Sequence, residues 1–288
     1  MRKTTEYAEY AQRKPDSPIV KPLGAIFFFR VYSVFRGSVL CLSLLLGIFL
    51  TGPRCFAQAH AERPAPLDAA QAEREARELV AAMLSQRPAE DETNLGLLKI
   101  RGADDQEREI KVRFSTRTTA TNWANVYTTV PSGGQPAVTL TVVHASGSNE
   151  YYLSMSSTND RARRLTGAEL MRPFADSDFW LADLGLQFLH WPKQKLLKKE
   201  VRRNKFCDVL ESTNPQPTPG GYARIVCWIT GEAPHGIVHA DAYDAKGDVI
   251  KRFDPTEFKK IEGRWQLESM EIRNLKTDSR SVIEFNLK

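Results

Sequence analysis

The sequence predicts a mainly antiparallel β protein with one long, curved sheet and few helices. Two observations carry this. After Leu95 apolar residues recur at every second position, as Ile110, Val112 and Phe114 do against Lys111 and Arg113, which is the spacing of a strand with one buried face. Turn-forming clusters interrupt that pattern at short intervals, among them Gly102-Ala-Asp-Asp105, Pro131-Ser-Gly-Gly-Gln-Pro136 and Ala245-Lys-Gly-Asp248. Only two stretches of the folded part carry helical spacing. A sheet of so many strands curls, and its inner face has to be covered by something.

The elements follow in order. Asp68 can cap a helix that runs to about Gln86, because Ala72, Ala76, Leu79, Val80, Met83 and Leu84 keep i, i+3, i+4 spacing. Pro88 stops it. Strands are expected over 95–101, 107–114, 121–130, 137–144 and 150–155. Thr166-Gly-Ala-Glu169 has the spacing of a capping box. A second helix is expected from Phe179 to Trp191, ended by Pro192, with Leu181, Leu184, Phe188 and Trp191 on one face. A meander then covers 197–213, 221–231, 236–244, 248–254, 256–262, 264–273 and 280–287. No repeat of 20–50 residues is present.

The chain has 288 residues and a formal net charge of +5. The excess lies in residues 1–59, which hold eight basic and three acidic side chains; the remainder is balanced. Overall charge of the folded part therefore gives no reason to expect a nucleic-acid partner, whose polyanion needs a basic stripe. Residues 37–51 form an uncharged apolar run behind Arg30 and Arg36, followed by Gly52-Pro53 and then Ala57-Gln58-Ala59. That layout is a secretory signal peptide, with cleavage expected after Ala59 and Ala61 as the alternative. An uncleaved anchor is the rival reading, although fifteen helical residues reach only about 22 Å across a ~30 Å bilayer core. Gly-Pro-Arg before Cys55 makes a poor lipidation box. The expected organisation is a leader over 1–59, a linker with its amphipathic helix over 60–94, and the sheet domain over 95–288.

Without the leader two cysteines remain, Cys207 and Cys227. Export permits a disulfide. If the strands around them pair symmetrically about the loop 214–221, residue 207 faces 227 and Val209 faces Ile225, both pairs on one face. Two buried free thiols are the competing reading.

Several segments in order point to one family. These are Phe174-Ala-Asp-Ser-Asp-Phe-Trp-Leu-Ala-Asp-Leu184, Cys207-Asp-Val-Leu-Glu-Ser212, Tyr222-Ala-Arg-Ile-Val-Cys-Trp-Ile229, Ala242-Tyr-Asp-Ala-Lys-Gly-Asp-Val-Ile-Lys251, and Trp265 to Asn274 with Met270 and Thr277. The first resembles an F-x-x-S-D-F-x-x-x-D-L segment, the last a W-x-x-x-x-M-x-x-x-N hairpin, of the outer-membrane lipoprotein-sorting proteins, the LolA/LolB-like group. The resemblance covers roughly 95–288. It implies an unclosed β-barrel, a half-barrel, with covering α-helices and an apolar cavity for lipoprotein acyl chains or another lipid. It further implies a periplasmic carrier with lipid or acylated-lipoprotein cargo and a membrane-protein donor or acceptor, and neither catalytic residues nor cofactor. On this reading Leu181, Leu184 and Phe188 belong to a lid over the cavity and contact lipid, with Trp180 and Trp191 beside them; ordinary core packing is the alternative.

Other constellations are weaker. His235, His239, Asp241 and Asp244 have metal-ligand chemistry, but His side chains four apart on a strand stand about 13 Å apart at ~3.3 Å per residue, so no metal site is expected. There is no Gly-x-Ser-x-Gly elbow, and Ser146-Gly-Ser148 reads as a turn. Gly133-Gly134 and Gly220-Gly221 lack the context of a phosphate loop. Lys193 to Lys205 holds seven basic residues against Glu200; they can meet anionic headgroups or simply protect an exposed sheet edge. Two rival functions stay open: a lipid-sensing module of the same fold, and a secreted hydrolase using a carboxylate pair.

Overall fold

The computed structural model describes residues 68–145, 147–156, 161–261 and 264–286. The expected leader, with its cleavage after Ala59, lies outside them. Helix α1 (Ala69–Ser85) buries Ala72, Ala76, Leu79 and Val80, the predicted stripe. Asp68 does not cap it with its side chain; the Asp68 carbonyl accepts from the Ala72 N–H instead.

Among the described residues thirteen strands form a single sheet. They are β1 (Glu92–Arg101), β2 (Glu107–Thr118), β3 (Trp123–Thr129), β4 (Val138–His144), β5 (Asn149–Met155), β6 (Arg163–Leu165), β7 (Lys193–Arg202), β8 (Lys205–Thr213), β9 (Arg224–Thr230), β10 (Ile237–Tyr243), β11 (Val249–Ile261), β12 (Arg264–Asn274) and β13 (Ser279–Phe285). The order is β6-β5-β4-β3-β2-β1-β13-β12-β11-β10-β9-β8-β7, antiparallel throughout. Two meanders thus meet at one seam, β1 against β13, running from Gly96↔Phe285 to Arg101↔Arg280. Gly96 is required there. A Cβ on it would lie 2.1 Å from the Glu284 carbonyl oxygen and 2.8 Å from the Phe114 ring. The outer strands β6 and β7 do not pair with each other, so the curved sheet is a half-barrel and not a closed one.

The chain between β6 and β7 crosses the concave side as a plug. It comprises a 3-10 turn (Gly167–Met171) with the predicted Thr166–Glu169 capping box, a short helix α2 (Leu181–Leu184) and a second 3-10 turn (Gln187–His190). The continuous helix expected over 179–191 is therefore two short pieces. Leu186 is left-handed at φ +49, which ends a helix. The carbonyls there are also taken by the sheet: Tyr127 Oη donates to Leu184 O at 3.0 Å, and Asn149 Nδ2 to Gly185 O at 2.6 Å. Gly185 lies so close to Tyr151 that a Cβ would come within 2.2 Å of its hydroxyl.

Two strand boundaries differ as well. The segment expected to run through 197–213 folds back at Arg203-Asn204, whose φ angles of 49 and 58 fit a two-residue hairpin turn. Conversely, 248–254 and 256–262 merge into β11. Pro255 is accommodated because the register shifts between Pro255 and Glu257, at a bulge that asks no ladder hydrogen bond of it.

The expected Cys207–Cys227 bridge is a correction. Cys207 faces Thr230 and Cys227 faces Leu210, so paired residues sum to an odd number and the two cysteines point to opposite faces. The loop is asymmetric: the Asn214 N–H bonds to Ala223 O, which shifts the register. Both thiols are free and buried. Cys227 joins the concave core, and Cys207 an outer cluster with Val209, Val226 and Trp228.

Candidate functional site

The concave core is where the plug meets the sheet. Leu98, Leu140, Leu210, Ile229, Leu267 and Ile283 line the sheet side, and Phe174, Phe179, Leu181 and Leu184 enter from the plug, all with at most 1% exposure. Phe188 and Trp191 are buried in the same core. The three expected lid contacts, Leu181, Leu184 and Phe188, all enter this concave core, although they stand on two short pieces and not on one helix face. At roughly 1.5–3 kcal/mol for each large apolar side chain buried, they hold the plug down.

The polar residues of the F-x-x-S-D-F-x-x-x-D-L segment each have a defined task. Ser177 Oγ donates to Phe174 O at 2.7 Å and accepts from the Phe179 N–H at 3.2 Å, closing the turn between the two anchoring phenylalanines. The Asp178 carboxylate accepts from Ser279 Oγ at 2.6 Å and Ser281 Oγ at 2.8 Å, pinning the plug to β13. The Asp183 carboxylate accepts from the Trp180 N–H at 2.8 Å and Tyr222 Oη at 3.1 Å. Lys251, only 2% exposed, donates to Asp178 O at 2.6 Å, lies 3.8 Å from Asp183 and sits 3.5 Å above the Trp180 ring. Trp180 in turn stacks on Tyr222 at 4.4 Å.

Burial pushes the Lys251 ammonium down to about 8, against the opposing pull of Asp183 and Asp178. Burial also raises the Asp183 carboxyl, with Lys251, the Trp180 N–H and Tyr222 working the other way. Both shifts have one cause: desolvation outweighs mutual attraction in this pair. Sequence reasoning passed over Lys251 and Tyr222 as site residues. The available signal was Lys251 at period-two spacing between Val249 and Phe253.

Two cavities flank the plug. The inner one, about 40 Å³, is apolar except at one end, where Asp183, Tyr222 and Lys251 stand beside Phe188, Ile225 and Ile237. The outer one, at the mouth, measures about 230 Å³ and is bordered by Met83, Trp123, His144, Asn149, Leu189 and His190. Leu186 lines both. At the mouth Trp123 stacks on His144 with ring centroids 3.7 Å apart. Burial, with His190 nearby, lowers the His144 imidazole to about 3; burial also lowers His190.

The other candidates sit elsewhere. His235 is at the mouth, whereas His239 lies on the outer face between Asp254 at 2.8 Å and Asp241 at 3.0 Å. Asp244 shapes the β10–β11 turn, accepting from the N–H groups of Lys246 and Asp248. Among the described residues no group of three or more His, Cys, Asp or Glu side chains comes together as a metal site. The basic run forms β7, its hairpin and the start of β8. Carboxylates meet much of it: Lys195 pairs with Glu211, Lys198 with Glu200, Lys199 with Glu75 and Asp208, and Arg203 with Asp254.

A curved, unclosed antiparallel sheet with an apolar plug on its concave side defines a LolA-like half-barrel. The same architecture occurs in a DUF1329 family protein from Desulfovibrio piger, at TM-score 0.62 and 17% identity over 75% of this chain and 91% of that one. A putative outer membrane lipoprotein-sorting protein domain from Vibrio parahaemolyticus matches equally, at 0.62 and 17% over 75% and 92%. A LolA superfamily protein from Nitrosomonas europaea matches at 0.53 and 16% over 74% and 91%. No curated protein matches in sequence. A family model described as "uncharacterized protein" matches residues 121–287, and the chain belongs to that family. The half-barrel expected from the sequence resemblance is thus the fold observed.

Proposed function

We propose that this protein is an exported, non-catalytic carrier that holds the acyl chains of a lipoprotein or another lipid against the concave face, and that it assists outer-membrane lipoprotein sorting. The observation that carries this reading is the plug: an apolar layer belonging to no strand, resting on an apolar sheet and flanked by two cavities that share Leu186 in their linings. An acyl chain gains roughly 0.8 kcal/mol for each methylene it removes from water, so such a face attracts it strongly. At about 40 and 230 Å³ the cavities fall below the ~300–1,000 Å³ of sites that enclose drug-sized ligands, so cargo enters by displacing Leu181, Leu184 and Phe188. The sheet domain over 95–288 does the binding, and α1 covers its β7 end. Release then needs a membrane-protein acceptor that favours the plugged state. The likeness to a putative outer membrane lipoprotein-sorting protein domain from Vibrio parahaemolyticus agrees with carriage in the periplasm after export.

A photoactivatable palmitate analogue tests this. Crosslinks are expected on residues 181–188 and on the facing strands. Labelling confined to the outer face around Trp228, or none at saturating probe, would contradict the proposal.

A further inference from the structure

The mouth cavity has a chemistry that acyl binding alone does not ask for. Among the described residues lining it, Arg87 is the only one with a fixed charge, and its guanidinium is already spent on the carbonyls of Thr119, Ala120 and Asn122. Within that lining one buried acceptor stands out. A ring N–H of His190 donates to the Gly147 carbonyl, which leaves Nε2 buried and without a partner. The Asn149 amide donates to Gly185 O at 2.6 Å, and its side chain also hydrogen-bonds the neighbouring His144 ring. His144 cannot turn to help. Asn125 Oδ1 accepts from Thr116, so its Nδ2 donates to His144 Nε2 at 3.2 Å, and Trp123 holds the ring flat.

A buried acceptor left unpaired is costly, and the penalty is recovered by a donor that reaches it. We infer that the mouth cavity is a subsite for an uncharged, hydrogen-bond-donating head group, a hydroxyl or an amide N–H, on an acyl cargo whose chain continues past Leu186 into the inner cavity. This rests on the carrier reading and adds to it a preference for neutral over anionic lipids. A carboxylate or phosphate would bring a further acceptor to His190 Nε2, and the one guanidinium of the lining, Arg87, is already turned toward three backbone carbonyls.

The test compares 1-monopalmitoylglycerol with palmitate at pH 8, each displacing an environment-sensitive acyl dye from the whole exported protein. The monoglyceride is expected to bind about tenfold more tightly, the order of one recovered buried hydrogen bond. His190→Phe should abolish that preference. Because the variant can misfold, the ¹⁵N resonance of His190 Nε2 in the unmodified protein gives a second readout: it should move upfield, as an accepted hydrogen bond requires, with the monoglyceride and not with palmitate. Equal affinities, tighter palmitate binding, or an unmoved Nε2 resonance would overturn the head-group subsite while leaving the carrier intact. Failure of both lipids to displace the dye would remove the carrier reading and the subsite together.

Discussion

On the concave face Lys251 is sealed beneath Trp180 and beside Asp183, and His144 lies under Trp123; both are driven toward their neutral forms by burial. On the outer face His239 is buried as well, yet it sits between Asp241 and Asp254 with Arg252 3.3 Å from Asp241. Burial works against its charge, but the hydrogen bonds to both carboxylates outweigh it and raise its pKa. One sheet therefore lines its inner surface with apolar side chains around a few desolvated polar groups, and stabilises its outer surface with ion pairs that remain near solvent. The difference shows that accessibility alone does not decide the ionisation of a buried group; the number of opposite charges touching it does.

The largest effect that sharpens this contrast is at Lys251. Lys251→Met leaves Asp183 buried with its charge unpaired and is expected to cost about 3–5 kcal/mol in urea unfolding. Adding Asp183→Leu should recover most of that loss, because an apolar pair suits the site. Recovery would fail if Asp183 were needed chiefly for its bonds to the Trp180 N–H and Tyr222. Next is Leu184→Ala, expected to cost about 2–5 kcal/mol by opening a void under the plug. Val209→Ala, on the outer face, removes less side chain and should cost less.

Protonation separates the faces next. His144 has a folded pKa of about 3, far below its unfolded value. As pH falls from about 6.5 the unfolded chain takes up a proton that the folded chain refuses, so stability drops by up to about 1.4 kcal/mol per pH unit. His144→Gln should flatten that slope between about pH 6.5 and 4.5. His239 has the opposite sign: its raised folded pKa gives stability that is fully present below its unfolded value and is lost as pH rises through the folded value. His239→Gln should therefore weaken the protein more at pH 6 than at pH 9, read from denaturation midpoints at the two pH values. The smallest effect concerns sulfur. With Cys207 and Cys227 on opposite faces, reductant should leave the melting temperature unchanged, and two thiols should titrate after unfolding.

Much of this was legible in the sequence. The strand alternation, the turn clusters, the stripe of α1 and the capping box at Thr166 are local signals, and each predicts its element within a few residues. Register was not legible. Pairing across the loop 214–221 depends on which backbone groups close it, and a shift of an odd number of residues separates Cys207 from Cys227. The break at Gly185-Leu186 was also hidden, because Tyr127 and Asn149 cause it from strands far away in the sequence. The same holds for the mouth cavity. His144, Asn149 and His190 belong to three different elements, and no spacing rule connects them.

Native mass spectrometry of the purified protein, with lipid extraction of any adduct, tests the central claim most directly. The account predicts a non-covalent adduct that leaves on denaturation and carries at least one acyl chain. A clean apo mass that stays unchanged after incubation with acylated lipoprotein and with free lipid would contradict it.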